Sequence, residues 1–521
     1  MPHPTAPLPN AVDLSHHLSL LSRSRKPSPL KDIIKYMYQK GMISFAGGLP
    51  HPSVFPFHNI AVSAFPADTV IDPMAPQPPA DSVDYAIQRD LTPSTAYALS
   101  QGLQYMPSTG MPKLLAFQRA LTEKLWKPAY ADWEVMGNTG STAAWSMITQ
   151  LLLERGDFIL TESMIYSTSQ SVFIPMGIKA VPIHSDGEGM RADALEEALA
   201  NWDESKGRRP RVMYLVPVGQ NPLGTTMQLE RRKEIYEVAV KYDVIIIEDD
   251  PYTMLEFPEY KAGQPSTGPD PAVDVDAFLA RKSPSFLTID YQGRVIRMDT
   301  FSKVLAPGSR LGWFTMNKMF CERMLRTSEV QTNGPSGFSQ VIVGQLLEEW
   351  GLDGFLKWEV NMCEQYRVRR DWMLDAIYNE FDVVPAEETD VEGAIGQVAY
   401  PKGQAHTGPA LMSFLPPVGG MFIWIKAYWR THPKYAAFAE GRQTPENDFE
   451  EVFWKTLIAH DVLLTPGWYH DPYQGDDVHT VEEAGAGHYR LSFSFEPKEV
   501  MDEGVRRMAK VFVDEWAPGT N

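Results

Sequence analysis

Short apolar runs that alternate with a helix-like segment constrain the fold of this chain more than any other feature. Four runs are rich in β-forming residues: 158–160, 180–183, 212–216 and 244–247. Between the last two, residues 229–242 place apolar side chains at helical spacing. Short buried strands that alternate with helices are typical of a parallel sheet covered on both faces. The pattern therefore predicts an α/β fold with a mostly parallel central sheet.

Length and composition restrict the class of protein. At 521 residues the chain exceeds one ordinary hydrophobic core, so we expect two or more domains. A formal net charge of −19 argues against nucleic acid and anionic membrane as partners. The two cysteines exclude a disulfide framework and a cysteine-rich metal site, and we predict no metal.

The N-terminus and the apolar runs bear on localisation. Residues 1–20 show no basic start followed by an apolar core, so they do not predict a secretory signal. The longest aliphatic stretch, 244–247, is far too short to span a bilayer. We expect a cytoplasmic protein.

The chain is expected to divide into four parts. A short helix is predicted around 30–39. Two loop insertions are predicted, one at about 261–290, which is rich in Pro, Asp and Ser, and one at about 385–417, which contains Gly, Pro and acidic residues. The parts are an N-terminal arm at 1–42, the N-terminal portion of a small domain with a connecting segment at 43–95, a large domain at 96–370 and a C-terminal small α+β domain at 371–521.

Lys303 is the strongest candidate for a catalytic residue because of its neighbours. It follows the hydroxyl residues Thr300 and Ser302 and precedes Arg310 by seven positions. The hydroxyls and the guanidinium can share the oxygens of a phosphate, while the lysine amine can form a Schiff base with an aldehyde. This combination predicts a site for pyridoxal 5′-phosphate (PLP). A solvated lysine in a turn, the ordinary interpretation of an isolated lysine, does not account for these neighbours.

Four further segments suit positions around the same ligand. The strand-like runs at 212–216 and 244–247 lead into 221–224, Asn-Pro-Leu-Gly, and 249–252, Asp-Asp-Pro-Tyr. In an open α/β sheet, ligands bind beyond the carboxyl ends of the strands. A glycine turn at 137–140 opens a helix and can bind phosphate. The fourth segment is Tyr-Arg-Leu-Ser-Phe at 489–493.

Together these motifs resemble those of the fold-type I PLP-dependent aminotransferases, in particular the fungal aromatic and 2-aminoadipate branch with its kynurenine/aminoadipate cousins. The stretches 43–52 and 104–112 support the resemblance, which runs from about Ser22 to the C-terminus. It implies an aspartate-aminotransferase-like fold with a large PLP-binding domain and a smaller α+β domain. It also implies a homodimer with shared active sites.

The resemblance assigns the residues closest to the cofactor. Lys303 would hold PLP covalently and act as the general base for the substrate's Cα proton. Asp249 would pair with the pyridine nitrogen, because the motif's tyrosine lies three residues beyond the ring-binding acid; Asp250 would then be a strand-end turn acid. Tyr252 and Asn221 would hydrogen-bond the phenolic oxygen of the ring.

Further cofactor contacts follow from the same resemblance. Tyr166 would stack on the pyridine face, with a buried core tyrosine as the alternative. Tyr105 is similar to the tyrosine that reaches the phosphate of the neighbouring subunit. The residues implied for the phosphate in the same chain are Ser141, Thr142, Thr300, Ser302 and Arg310.

Substrate recognition is assigned in the same way. Arg490 would grip the α-carboxylate in a bidentate fork, with a surface ion pair as the alternative. The turn at Gly47 and Gly48 would bring backbone amides to that carboxylate, beside Asn221. Arg25 resembles a mobile arginine near the substrate's distal end, although a solvated basic arm explains it equally well.

We therefore expect transamination of phenylalanine, tyrosine and tryptophan, with 2-aminoadipate and kynurenine as additional donors. The acceptor would be 2-oxoglutarate or another 2-oxo acid. A β-eliminating (C–S) lyase would use the same residues, and an aminotransferase of secondary metabolism would share every motif. A PLP-binding transcription regulator is disfavoured, since it needs a DNA-binding domain ahead of Ile43 and the chain is acidic.

Overall fold

The computed structural model of the chain describes residues 7–28, 36, 39–43, 45–46, 48–74, 81–92, 95–264, 268–270, 274–472 and 483–517. The strands are β1 Asn59–Ala64, β2 Val83–Gln88, β3 Trp133–Asn138, β4 Phe158–Glu162, β5 Lys179–Ile183, β6 Ser185–Asp186, β7 Gly189–Met190, β8 Val212–Leu215, β9 Ile245–Asp249, β10 Val295–Thr300, β11 Gly312–Asn317, β12 Phe381–Pro385, β13 Gln397–Pro401, β14 Met412–Phe414, β15 Phe422–Tyr428, β16 Thr465–Pro466 and β17 Ala486–Ser492. The α-helices are α1 Leu20–Ser24, α2 Leu99–Gly102, α3 Pro112–Leu125, α4 Ser141–Leu152, α5 Ser167–Phe173, α6 Ala192–Ala200, α7 Leu229–Lys241, α8 Val275–Ala280, α9 Lys318–Gln331, α10 Gly337–Glu380, α11 Tyr435–Ala439, α12 Pro445–Ala459 and α13 Lys498–Trp516. Short 3₁₀ turns lie at Ser15–His17, Pro52–Val54, Ile174–Met176, Glu204–Lys206, Phe286–Thr288, Pro307–Ser309, Ala386–Glu388, Trp429–Thr431 and Gly467–Tyr469.

A seven-stranded sheet forms the centre of the structure, in the order β3-β11-β10-β9-β8-β4-β5. The strands from β10 to β5 are parallel, and β11 runs antiparallel to both of its neighbours. Strands β8 and β9 are buried along their whole length. They are apolar at successive positions because helices cover both faces of the sheet. The predicted α/β fold with a mostly parallel central sheet is confirmed.

Side chains from the two faces of this sheet enter two separate hydrophobic clusters. Tyr214, Ile245 and Ile247 belong to one cluster, together with Trp145 of α4. Leu215 and Ile246 belong to the other, which also contains residues of α6 and α7. Because strand side chains alternate, each residue of β8 and β9 has a defined side.

A second sheet is antiparallel and has the order β12-β13-β14-β15-β17-β16. Helix α12 packs against β16 and β17. Helix α13 contacts α10 and α12, and its Phe512 meets Phe381 of β12 edge to face. The C-terminal part is thus α+β, as expected. Helix α10 breaks at Gly351, where the backbone is not helical.

The prediction that 385–417 is a loop insertion was wrong. This stretch contributes β13 and β14, which lie in the interior of the six-stranded sheet. The strands have five and three residues and stand among glycines and prolines, so the turn residues obscured them. The stretch 261–290 likewise contains α8, which begins after the capping side chain of Asp274.

Some predicted boundaries differ from the elements observed. In the segment 43–95, β1 and β2 form a separate two-stranded sheet. The hydroxyl of Tyr85 donates to the carbonyl of Ile342 at 3.1 Å, so this sheet packs on α10. The boundary at 370/371 falls inside α10. Most of the helix predicted around 30–39 lies outside the described residues.

None of the helices in the described parts of the chain is long and apolar enough to cross a membrane.

A pair of glycines brings the turn after β8 close to the second sheet. Gly219, in the turn after β8, has a φ of +53°. A Cβ atom there would lie 2.4 Å from the Cα of Gly420, which immediately precedes the segment leading into β15. No side chain fits in this gap, so backbone meets backbone. The turn that carries Asn221 is therefore fixed against the second sheet.

We expect Gly219→Ala to lower the stability by about 3 kcal/mol, since left-handed strain and backbone overlap add. The matched control is Gly263→Ala, whose φ is +75° with no atom within 4 Å of a Cβ. The control should lose only about 1 kcal/mol. Thermal midpoints of the two variants test this, and equal losses would contradict a role for the close approach.

Candidate active site

The predicted site residues converge at one edge of the central sheet. Strand β9 ends at Asp249, the turn after β8 carries Asn221, and the loop after β10 carries Lys303. Because β8, β9 and β10 are parallel neighbours, their carboxyl ends lie side by side. Helix α4 begins at Ser141, directly after β3.

Asp249 is a buried acid, and one of its two carboxylate oxygens has no hydrogen-bond partner among the described residues. The hydroxyl of Tyr214 donates to its Oδ2 at 2.6 Å, whereas Oδ1 is buried and accepts no hydrogen bond among the described residues. Burial raises the pKa of Asp249 to about 6, and the side chains of Tyr214 and, to a smaller extent, Ser141 oppose this rise. An unpaired buried carboxylate oxygen suits a cationic N–H donor such as a protonated pyridine nitrogen.

The two acids beside Asp249 face the other side of the sheet. Glu248 and Asp250 each lie 3.0 Å from Nη1 of Arg297, and Arg297 also pairs with Asp299. Asp250 was expected to be a turn acid, but it is a buried member of this ion-pair network. Strand alternation puts Asp249 alone on the face that carries Tyr214.

Lys303 lies in a loop that α10 holds from behind. The indole of Trp358 donates to the carbonyl of Val304 at 2.7 Å, and the hydroxyl of Tyr366 donates to the carbonyl of Lys303 at 3.4 Å. Burial lowers the pKa of Lys303, opposed by Asp249 and assisted by the nearby arginines. A lower pKa increases the fraction of neutral amine, which is the form that attacks a carbonyl.

A cradle of hydroxyls and one guanidinium lies next to this loop. The hydroxyls of Thr300 and Ser302 are 2.8 Å apart, and Nη1 of Arg310 donates to the Ser302 hydroxyl at 3.3 Å. A Cβ atom at Gly140 would lie 2.0 Å from Nη2 of Arg310, so this glycine lets the guanidinium reach the N-terminus of α4. The Ser141 hydroxyl is buried there and has no hydrogen-bond partner among the described residues. These donors fit a phosphate group.

Arg490 of β17 joins the two sheets. Its Nη1 donates to Oδ1 of Asn221 at 2.7 Å, and its Nη2 donates to the hydroxyl of Thr465 at 3.1 Å. The guanidinium carbon lies 4.3 Å above the ring of Phe422. Its Nε is buried and makes no hydrogen bond within the described parts of the chain. A partly unsatisfied cation beside Asn221 can bind a carboxylate.

Two tyrosines complete the cluster. Tyr252 is buried and meets Phe422 edge to face, with ring centroids 6.0 Å apart. Burial raises the pKa of Tyr252, Asp249 adds to the rise, and Arg490 and the hydrogen bond with Asn221 oppose it. Tyr166 stands before α5, close enough to influence the pKa values of both Tyr252 and Arg490. Thr142 lies one residue into α4, beside the phosphate cradle.

Other predicted residues lie apart from this cluster within one chain. Tyr105 is 62% exposed, and a Cβ at Gly48 would meet no atom within 4 Å. Nη2 of Arg25 donates to Oε1 of Gln150 at 3.4 Å, nine residues along α4 from Ser141, or roughly 13 Å by helix rise. Gly47 lies outside the described residues.

Three residues of the cluster were missed in the sequence. Tyr214 stands in a run of buried strand residues, where nothing distinguishes it from a core tyrosine. Phe422 stands in an apolar run of the sequence, but its position under Arg490 depends on the pairing of β15 with β17. Thr465 lies in the two-residue β16, which shows no strand pattern.

A buried amine of lowered pKa, a carboxylate with one unpaired oxygen and a phosphate cradle at one sheet edge define a PLP-binding α/β enzyme. The family described as aminotransferase class I and II matches residues 82–389. An aromatic amino acid aminotransferase of Schizosaccharomyces pombe is 33% identical over 510 residues, covering 96% of this chain and 97% of the relative. An L-tyrosine:2-oxoglutarate aminotransferase of Serpula lacrymans var. lacrymans is 32% identical over 474 residues, covering 87% of this chain and 83% of the relative.

The crystal structure of the aminotransferase Aro8 from Candida albicans superimposes with a TM-score of 0.84 at 32% identity. The superposition covers 98% of this chain and 100% of the Candida albicans chain. The chain belongs to the class I and II aminotransferases. It is a PLP-dependent transferase, which confirms the resemblance, the enzyme class and the cofactor expected from the motifs.

We expect Asp249→Asn to stabilise the cofactor-free protein at neutral pH. The pKa of Asp249 is raised from 3.8 to about 6 on folding, so the folded state binds the extra proton between these values. Stability then falls as the pH rises through this window, and the carboxylate destabilises the fold above it. The Asn variant should gain up to about 3 kcal/mol above pH 6 and little near pH 4.

Thermal midpoints of the cofactor-free proteins against pH check this prediction. The control is Asp353→Asn, whose carboxylate is 87% exposed and should show no such dependence. The same midpoint for the Asn variant and the wild type at pH 8 would contradict the assigned burial cost.

Proposed function

We propose that this enzyme transfers the amino group of phenylalanine, tyrosine and tryptophan to 2-oxoglutarate or another 2-oxo acid. Kynurenine and 2-aminoadipate are proposed as additional donors. The observation that carries the proposal is the position of Arg490, which stands beside Asn221 in the same crevice as Lys303 and Asp249. The aromatic and tyrosine:2-oxoglutarate aminotransferases among its relatives support this choice of substrates.

Each proposed role follows from the chemistry of the side chain. Bound PLP supplies an electron sink for the charge that develops at the substrate Cα. Arg490 orients the α-carboxylate, and the neutral amine of Lys303 holds the cofactor and later moves the Cα proton. Oδ1 of Asp249 accepts from the pyridine N–H and keeps that nitrogen protonated.

The remaining residues are proposed to fix the cofactor's position. Tyr252 and Asn221 donate to the phenolic oxygen of the ring, and Tyr166 covers one ring face. The proposed phosphate ligands in this chain are Ser141, Thr142, Thr300, Ser302 and Arg310. Helix α4 adds the positive end of its dipole at the same point.

We also propose that two chains share their active sites in a homodimer. Supporting it, several apolar side chains near the N-terminal arm are exposed in one chain, including Ile43 at 79% and Phe45 at 96%. Tyr105 and Phe338 line an open cavity of about 540 Å³ together with Phe55. A partner could insert there, so Tyr105, Gly47 and Gly48 would act at the partner's site. Arg25 is proposed to approach the substrate only after it leaves Gln150.

We propose a cytoplasmic location for the enzyme. The cysteines Cys321 and Cys363 are both unpaired, which suits a reducing compartment.

The donor class can be tested on the cofactor-loaded enzyme by absorbance. Added phenylalanine, without a 2-oxo acid, should convert the band of lysine-bound cofactor into a pyridoxamine-like band, and 2-oxoglutarate should restore the first. If only alanine or branched-chain donors converted the band, the assignment of aromatic donors would be contradicted. Release of pyruvate from a β-substituted amino acid without an acceptor would indicate a lyase.

Arg490→Gln tests the proposed carboxylate contact. Its kcat/KM for phenylalanine should fall roughly hundredfold, because a charged hydrogen-bonded pair is lost. Phenethylamine, which lacks the carboxylate, should react equally slowly with both proteins. The control Arg442→Gln removes an exposed ion pair with Asp448 and should retain wild-type rates. An equal loss for both amines would contradict the assignment.

Shared sites can be tested by mixing inactive subunits. Lys303→Ala and Tyr105→Ala proteins, unfolded together and refolded, should regain activity, since one site in each mixed dimer then has both residues. The control mixes Lys303→Ala with Arg490→Ala, which would occupy the same site of one chain and should not regain activity. Failure of the first mixture to exceed the second would exclude sharing through Tyr105.

A further inference from the structure

Tyr214 is a buried phenol that no part of the proposed reaction uses. It lies in β8 opposite Ile247 of β9, two residues before Asp249. Both side chains therefore occupy the same face of the sheet, and the Tyr214 hydroxyl donates to Oδ2 of Asp249 at 2.6 Å. Tyr214 is 2% exposed, so water does not compete for this hydrogen bond.

The ring of Tyr214 is held in place from the side of α4. The ring centroids of Trp145 and Tyr214 lie 4.8 Å apart at 45°. The indole of Trp145 is itself fixed, since its Nε1 donates to the carbonyl of Ser169 at 3.0 Å. The phenol also meets the Ser169 side chain, whose hydroxyl donates to the carbonyl of Tyr166 at 2.6 Å. Tyr214 thus lies between Asp249 and the start of α5.

When a hydrogen bond holds one oxygen of a carboxylate, the other oxygen keeps a fixed direction. Oδ2 of Asp249 is occupied by Tyr214, whereas Oδ1 is buried without a partner among the described residues. An unsatisfied buried acceptor costs about 1–3 kcal/mol, so Oδ1 favours a donor that arrives with the ligand.

We propose that Tyr214 is a positioning residue that keeps Asp249 an ionised acceptor and aims Oδ1 at the pyridine nitrogen of PLP. The inference rests on the proposed role of Asp249 in binding that nitrogen. A phenol is a donor toward a carboxylate and stabilises the charged form. Without it, burial would favour a neutral carboxyl group, which is a poorer partner for a protonated nitrogen.

Other charged groups also act on Asp249, and they remain unchanged in a Tyr214 variant. Asp250 lies next in the chain, and Arg297 of β10 partly offsets its charge. Lys303 and Tyr252 also interact with the acid, and the Ser141 side chain lowers its pKa as Tyr214 does. A variant that removes only the Tyr214 hydroxyl therefore isolates one contribution to the electrostatics of Asp249.

The test is Tyr214→Phe in enzyme loaded with PLP that carries ¹⁵N in its ring. The ¹⁵N chemical shift reports directly whether the ring nitrogen is protonated. In the variant we expect the pKa of the ring nitrogen to be lower than in the wild type by at least about one unit. Loss of a hydrogen bond to a charged group produces a shift of this size. PLP affinity should fall roughly tenfold, and kcat for phenylalanine should fall by more than KM changes.

Tyr236→Phe is the matched control. Its hydroxyl donates to Oδ1 of Asp290 at 2.8 Å, another buried phenol and carboxylate, at the opposite ends of the strands. This variant should lose thermal stability but keep the wild-type titration of the ring nitrogen. If Tyr214→Phe behaves like Tyr236→Phe, the proposed positioning role is wrong.

Two more variants separate the possible failures. If Asp249→Asn also leaves the ring-nitrogen titration unchanged, Asp249 does not bind the pyridine nitrogen, and the inference about Tyr214 is wrong as well. If Asp249→Asn moves the titration and Tyr214→Phe does not, only the inference about Tyr214 fails. Fluorotyrosine at position 214 keeps the ring and strengthens the donor, so it should move the titration to higher pH. A shift to lower pH would overturn the proposal even if Tyr214→Phe does not fold.

Discussion

The register of the parallel strands β8, β9 and β10 is the constraint on which the site depends. Ile247 pairs with Tyr214, and Asp249 pairs with Met298, so alternate residues of β9 face opposite layers of helices. A slip of one residue would exchange the two faces. Asp249 would then meet Arg297, and the acids now paired with Arg297 would enter the crevice without partners. Strand register therefore decides which acid is available to a cofactor.

Buried charge lies on both faces of the sheet. On one face, Arg297 and Arg232 bind Glu248, Asp250 and Asp299 in a network of ion pairs, although Nη2 of Arg232 and Oδ1 of Asp250 make no hydrogen bond among the described residues. On the other face, single atoms stay unsatisfied among the described residues: Oδ1 of Asp249, the hydroxyl of Ser141 and Nε of Arg490. Buried polar atoms without partners are costly and rare. The three atoms near Lys303 are of the kinds that a ligand with a phosphate, a cationic nitrogen and a carboxylate would satisfy.

Much of the fold was predictable because its signals are local. Buried parallel strands are apolar at successive positions, and glycine or acidic residues follow them where they end, so the strands before Asn221 and Asp249 stood out. Strands β13 and β14 were missed because they are short and lie among turn residues. Tyr214 was missed because its significance comes from a neighbouring strand. The positions of Tyr105 and Gly48 relative to a site would involve a second copy, which a single sequence does not describe.

Lys303 is proposed to carry the cofactor, and covalent trapping can check this assignment. Borohydride reduction of the PLP-loaded enzyme fixes the cofactor to the amine that holds it, and peptide mass spectrometry then locates the label. We expect one pyridoxyl group per chain, on the peptide that contains Lys303, and none in Lys303→Ala. A label on another lysine, or undiminished labelling of the Ala variant, would contradict it.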